Sequence, residues 1–280
     1  MKTRKPKKVC IGLFMILALL TAGRIFAEEG RLKGIKLGNL TWPEAEKALK
    51  TYEVVLFAVG AGSKEHGPHL RLKNDAVLAE YLTDRVMRET PVAVLPALEY
   101  AYYPSFLEYP GSVSIGAETF KNTVVDICRS MVRYGIRKFY VLNTGVSTLP
   151  PLKAAAEELE KGGVVMRFLN LLETDKALPA GLLKQEGGTH ADESETSMML
   201  YIAPDLVDMS KAVKDYDARP GRRGLTRDPK GEGVYSPSGS WGDPTLATRE
   251  KGRIIVETTV AEIIRQVNEL AGFKRDMSPR

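Results

Sequence analysis

Two of the chain's three histidines fall in one segment, KEHGPHLRLKND (Lys64 to Asp75), and the third opens HADESETS (His190 to Ser197). Imidazole nitrogens and carboxylate oxygens gathered in this way are the donors that zinc, manganese or iron accept. They are also the groups that move protons near neutral pH. In the first segment His66 and Asp75 are the candidate site pair. A plainer reading lets His66 and His69 satisfy loop backbone groups and makes Asp75 the cap of the helix it begins. The second segment places His190, Asp192, Glu193 and Glu195 within six residues. A helix N-terminus favours acidic residues, which accounts for Asp192 and Glu193 but not for a histidine. His190 is therefore a candidate general acid or base, or a holder of a carbonyl, and Glu195 a candidate metal ligand or base.

The elements that must position these residues follow from periodicity. Glu53 to Val59 is a β-branched and apolar run ending in Gly60 and Gly62, as expected of a buried strand entering a loop, and the first histidine segment follows directly on it. Asp75 to Arg88 has helical spacing, Val92 to Leu95 reads as a second strand, and the aromatic stretch YAYYPSFLEYPGS (Tyr100 to Ser112) fits neither period. Helix is expected over Glu118 to Tyr134, Pro150 to Lys161, Glu193 to Ile202 and Thr245 to Ala271. Strand is expected over Lys138 to Leu142 and Val164 to Leu169. Strands alternating with helices imply an α/β fold with a mostly parallel sheet covered on both faces, whose ligands bind at the carboxyl ends of the strands. Asp215 to Gly242, rich in Gly, Pro, Arg and Asp, reads as a long surface loop of the kind that often serves function.

The composition narrows the partners. Forty basic residues stand against 35 acidic ones, but six of the basic residues lie within the first 27 positions, where no acidic residue occurs. The remaining chain is nearly neutral and offers no general field for a polyanion, so no nucleic-acid partner is expected. Residues 1–27 have the layout of a secretory signal peptide: a basic head, an apolar run from Val9 to Ala22, and Ala27 before Glu28 and Glu29. That run is short for a bilayer span, so the expectation is cleavage, no stable membrane span afterwards, and a periplasmic or extracellular protein. The mature chain would keep one cysteine, Cys128, whose setting VVDICRSMV reads as a buried helix position. The layout is then a signal peptide at 1–27, an N-terminal lead at 28–50, one α/β domain at 51–273 and a polar tail at 274–280. There is no GxSxG, GxxxxGK, HExxH or CxxC motif, and VGAGS lacks the third glycine of a dinucleotide fingerprint.

At these residues the chain resembles a family. GAGSKEHGPHLRLKND is similar to the signature GSxEQHGPHLPLxTD of the creatininase family of metal-dependent amidohydrolases. The likeness continues in order through PALEYAYYPSFLEYPGSVSIGAETF, YGIRKFYVLNTGVST, THADESETSMMLYIAPDLVDMSKA and PSGSWGDPTLATREKG, covering Val54 to Gly252. The resemblance implies a three-layer α/β/α sandwich, commonly assembled as a homo-oligomer, a hexamer in many members. It also implies two adjacent divalent metals that activate a water to open a cyclic or linear amide C–N bond. Carried over by position, the motif's histidine is His66 and its metal-bridging aspartate is Asp75. Its first glutamate falls on Lys64, with Glu65 beside it. The histidine of the family's NGHGGN segment falls on Gly145, and a glutamate that some members carry two residues further on falls on Ser147. The family's ETS glutamate is Glu195, and its HAG histidine, tied to substrate and proton transfer, is His190.

A lysine for a ligand glutamate removes a negative charge and adds a positive one, which leaves three arrangements open. Glu65 turns inward and, with His66, Asp75 and Glu195, holds one metal; Lys64 stands in for a metal; or the pocket only binds a small molecule. The expected reading is an exported hydrolase of a small amide or lactam with one zinc, manganese or iron per subunit. The expected catalytic groups are His190, Glu195 and Lys64, and His69, Asn143, Ser147, His190 and Asp192 are expected to face the substrate. The alternative is a noncatalytic extracytoplasmic binding protein on the same fold. Creatinine as the particular substrate does not follow from these residues.

Overall fold

The computed structural model describes residues 32–216 and 224–273. The signal segment at 1–27, the polar tail at 274–280 and part of the long loop after Asp215 lie outside the described residues. Among the described residues no helix is long and apolar enough to cross a membrane. The elements run β1 (Ile35–Lys36), α1 (Trp42–Leu49), β2 (Val54–Val59), α2 (Asn74–Glu89), β3 (Val92–Val94), α3 (Ala117–Val132), β4 (Lys138–Asn143), α4 (Leu149–Glu160) and β5 (Val165–Phe168). They continue through the single turn α5 (Leu171–Thr174), α6 (Glu193–Ile202), β6 (Leu225–Thr226), β7 (Val234–Tyr235) and α7 (Arg249–Gly272).

Five strands form one sheet in the order β1-β3-β2-β4-β5, every pair parallel. Parallel strands need crossovers, and the crossover helices cover both faces, which is why all six residues of β2 (VVLFAV) are apolar and buried. Alternation then divides them between two layers. Val55, Phe57 and Val59 pack with Phe120, Val124 and Cys128 of α3 and with Leu152 and Ala155 of α4. Val54, Leu56 and Ala58 pack with Leu78, Leu82 and Val86 of α2 and with Ile255, Val260 and Ile263 of α7. The architecture is the α/β sandwich with a central parallel sheet that strand–helix alternation predicts. Each fully buried side chain of this size contributes about 1.5–3 kcal/mol.

The polar lead at 28–50 contains structure that periodicity does not reveal. β1 pairs with β3, so the sheet starts before residue 51. Helix α1 is opened by Pro43 in its first turn and by Glu44, whose carboxylate accepts from the Thr41 N–H at 2.8 Å. The C-terminal helix starts at Arg249 instead of Thr245. Asp243 Oδ1 accepts from the Thr245 N–H at 3.1 Å and holds a single 3-10 turn over Pro244–Leu246; Thr248, in extended conformation, caps α7 through the Lys251 N–H at 3.2 Å. Cys128 is buried and free, and burial pushes its thiol up to about 12, so it is a packing residue.

Candidate functional site

The site forms where β2 and β4 end. At Gly60 the chain leaves β2 so close to α2 that a Cβ there would meet the Asp75 carbonyl oxygen at 2.6 Å, so only glycine fits. The next turn carries Lys64 to His69 under the end of the sheet, and Asp75 sits in the first turn of α2. Lys64, Glu65, His66, His69 and Asp75 are all buried.

The two oxygens of Asp75 are claimed from opposite sides. Oδ1 lies 2.7 Å from His66 Nε2, and Oδ2 lies 2.7 Å from Lys64 Nζ. Burial alone would raise this carboxyl, but Lys64 and His66 outweigh it and hold it well below the usual carboxylate range. The His66 Nδ1 lies 2.8 Å from the Lys64 carbonyl, which can only accept, so Nδ1 carries a proton. His66 Nε2 and an ionised carboxylate oxygen therefore face each other across a gap that a proton or a metal ion must fill. A backbone carbonyl holding the far nitrogen is also how proteins orient a metal-binding histidine.

The second histidine segment meets the first. The His66 and His190 rings have centroids 5.1 Å apart, and His66, His190 and Glu195 bring donor atoms within 4.8 Å of one another. His190 is clamped by backbone: its N–H donates to the Trp241 carbonyl at 3.3 Å and its carbonyl accepts from the Trp241 N–H at 2.7 Å. Ala191 follows with φ of 47°, a left-handed conformation that costs a non-glycine residue, and its N–H donates to Glu195 Oε2 at 2.6 Å. On the far side of His190, Nε2 lies 3.0 Å from Glu65 Oε2, while Nδ1 lies 3.8 Å from Glu195 Oε2. The other Glu65 oxygen accepts from the Gly67 N–H. Gly239 of the long loop packs over the Glu65 carboxylate with φ of 87°, so that loop covers the site. Tyr109 helps to anchor the loop by donating to the Ser236 carbonyl at 2.8 Å. The convergent donors of His66, His190 and Glu195 are of the kind that could hold a divalent ion, and Asp75 stands outside them on the shoulder of His66.

A cavity of about 150 Å³ opens on this cluster, and Lys64, Tyr103, Phe106, Ser147, His190, Glu195 and Trp241 are among its lining residues. The aromatic stretch and the Trp241 loop both contribute to its wall. Of the residues expected to face the substrate, Ser147 and His190 line this cavity. Three others are held elsewhere. His69 Nε2 pairs with Thr196 Oγ1 at 2.8 Å, and burial beside the His66 ring pushes its imidazole down to about 4, so it ties the first segment to α6 as a neutral ring. Asn143 fastens the turn after β4, donating to the Gly145 carbonyl at 2.6 Å and accepting from Thr148 Oγ1 at 2.6 Å. Asp192 caps α6 through the Glu195 N–H at 2.9 Å and accepts from Gln185 Nε2 at 2.7 Å, with its side chain on a smaller adjacent cavity instead. Glu65, expected as a ligand, faces His190 and stands outside the convergent donor group.

Two contributors were not legible from residue type alone. Asp175 lies on the adjacent cavity, where burial and then the Glu195 charge push its carboxyl up to about 6. Tyr103 is buried with its hydroxyl unpartnered, and only its place in an irregular aromatic run marked it.

Comparison with known proteins bears on the family and the fold. The family model for creatininase, described as creatinine amidohydrolase, matches residues 38–267. Creatinine amidohydrolase of Pseudomonas putida is 27% identical over 263 residues, covering 85% of this chain and 97% of that protein. The mycofactocin precursor peptide peptidase of Mycobacterium ulcerans (strain Agy99) is 26% identical over 247 residues, covering 82% and 91%. Among solved structures, a creatininase described as the Mn form aligns with a TM-score of 0.71 and 27% identity over 84% of this chain and 98% of that one. A creatininase variant described as the Zn-Zn type aligns with a TM-score of 0.70 and 27% identity over 84% and 97%. Fold, ordered motifs and matched length lead to one conclusion: the chain belongs to the creatininase family and is a hydrolase of that family.

Proposed function

We propose that this chain is a metal-dependent amidohydrolase that cleaves the C–N bond of a small cyclic or linear amide with an activated water. The observation that carries the reading is the convergence of His66, His190 and Glu195 donors within 4.8 Å, beside an ionised Asp75 whose Oδ1 lies 2.7 Å from His66 Nε2. A divalent ion bound in this cluster, with His66 and Glu195 among its ligands and Asp75 behind His66, would lower the pKa of a bound water and polarise a carbonyl. The chain's own groups do the rest. Glu195 keeps one oxygen on the Ala191 N–H and borders the cavity, so it is placed to take the proton of an attacking water. His190, its orientation fixed by Glu65 on Nε2 and by the backbone clamp to Trp241, is placed to pass that proton to the leaving nitrogen. Ser147 and Trp241 bound the substrate side.

The cavity volume supports a small substrate, since it is below the roughly 300–1,000 Å³ of sites for drug-sized ligands. Because a curated relative is a peptide peptidase, short peptides belong in the same screen. The test is hydrolysis of amides, lactams and short peptides by the full chain purified without chelators, with Mn²⁺, Zn²⁺ or Fe²⁺ supplied, beside His66→Ala and Asp75→Ala. Metal-dependent turnover that both variants abolish is the expected result. Tight binding of an amide with no turnover under any metal would replace this reading with the noncatalytic binding protein.

A further inference from the structure

We propose that the Lys64 ammonium is a built-in replacement for a second metal ion at Asp75, so that the site holds one divalent ion where a two-metal relative holds two. This rests on the metal-hydrolase reading above and deepens it.

Asp75 presents its two oxygens to two different cation positions. Oδ1 serves the His66 side, where the convergent donors lie; Oδ2 is taken by Lys64 Nζ at 2.7 Å, with both side chains almost wholly buried. A lysine normally keeps its ammonium in water, and this one is held in the cavity wall. Aromatic faces cap it: Nζ lies 4.8 Å from the Phe106 ring centroid and 5.4 Å from that of Tyr103, a setting that favours a cation. The same residue holds the neighbouring position in place, because its carbonyl orients His66 through Nδ1.

Two further observations agree. A side chain at Gly145 would have its Cβ 3.1 Å from Tyr103 Cε1 and 3.1 Å from Thr148 Oγ1, so a ligand from the end of β4 would be tight there and would need both neighbours to shift by a few tenths of an ångström. Charge balance points the same way. Glu65, Asp75 and Glu195 supply three negative charges, which the ammonium and one divalent ion neutralise; a second divalent ion would leave the buried cluster with a net charge of about +2, a costly state in low dielectric. A fixed ammonium on the cavity wall also offers a bound carbonyl oxygen positive charge with no ion to lose to chelators.

Equilibrium dialysis of the full chain against Mn²⁺ and Zn²⁺, read by elemental analysis, tests this in wild type, Lys64→Glu and Lys64→Met. Wild type is expected to saturate at one ion per chain and Lys64→Glu at two. Lys64→Met, which removes the neighbouring positive charge, is expected to keep one ion and bind it at least tenfold more tightly. Circular dichroism shows which variants fold; if Lys64→Glu does not, the affinity of Lys64→Met decides, and a change under twofold overturns the proposal. Two ions in wild type, or one in both wild type and Lys64→Glu, also overturn it. No ion in wild type but one in Lys64→Glu would remove the metal-hydrolase reading and leave Lys64 as the occupant of the cation position. No ion in any form would remove both.

Discussion

Asp75 and Asp192 are both buried carboxylates at the edge of the same site, and their surroundings drive them in opposite directions. Asp75 lies between Lys64 and His66 and is held well below the usual carboxylate range. Asp192 has no cation beside it among the described residues; burial, and then the charge of Glu195, push it up to about 7 against the hydrogen bonds from the Glu195 N–H and Gln185. Asp175, next to it, goes up to about 6 for the same two reasons. Burial, nearly complete for Asp75 and Asp192 and partial for Asp175, acts on all three in the same direction, so the neighbour decides. The site is polarised: one end carries its own cation, and the other gathers carboxylates around Glu195 and is poor in positive charge. That asymmetry is what a single divalent ion near His66, His190 and Glu195 would relieve.

The comparison breaks most severely at Asp75. Asp75→Asn is expected to lose bound metal and all measurable hydrolysis, and to cost about 3–5 kcal/mol of stability, because Lys64 is left as a buried charge without its partner. Chemical denaturation of the metal-free protein and elemental analysis read the two effects separately; a variant as stable as wild type would show that the Lys64–Asp75 pair contributes nothing net. Next in size is Glu195→Gln at the other end, expected to lower kcat about 10²- to 10³-fold with the fold intact. Since the Glu195 charge helps to raise both Asp192 and Asp175, the same variant should bring both carboxyls back toward ordinary values in a carboxyl-carbon NMR titration. Values that stay put would assign the whole shift to burial.

How much of this the residues announce depends on how local the cause is. The sheet strands could be read because burial on both faces turns β2 into six consecutive apolar residues, and the start of α6 because the acidic pair Asp192 and Glu193 marks a helix N-terminus. β1 has two residues and no period to detect. α1 has a signature, Thr41 to Glu44, that is easily passed over in so polar a lead. Within the site, the nine-residue step from His66 to Asp75 is short enough for one loop and one helix start to bring them together, and the sequence shows both. Where each side chain ends up is a longer-range matter. His69 is claimed by Thr196, Asp192 by Gln185, and Glu65 by His190, 125 residues away. None of these pairings has a local signal, which is why the metal and substrate sets expected from residue type differ from the sets the cavity displays.

Asp175 offers a smaller and separate test of the acidic end, through stability instead of rate. Its carboxyl titrates at about 6 in the folded chain against an ordinary 3.8, so between those values the folded state binds the extra proton and stability falls as pH rises. Above pH 6 the penalty is constant, at most about 3 kcal/mol for a group this buried, and below about pH 4 it vanishes. Asp175→Asn should therefore raise Tm at pH 7.5, leave it unchanged at pH 3.5, and flatten the profile between. An equal gain at both pH values would mean that packing, not charge, is responsible.

The mildest substitution asks whether Glu65 belongs to the cation end or to the acidic end. Its carboxylate holds the Gly67 N–H with one oxygen and His190 Nε2 with the other, under the cover of Gly239, so it orients the imidazole without entering the group of donors. Glu65→Gln keeps size and one acceptor, and a partner of this kind is expected to change kcat about tenfold, with metal content unaltered. The pH profile separates this from a merely structural role. If Glu65 holds His190 for proton transfer, the glutamine variant should shift the limb of kcat against pH that reports His190, while KM and melting temperature stay near wild type. If metal occupancy falls in step with rate, Glu65 is a ligand after all, and the boundary between the two ends of the site moves to include it.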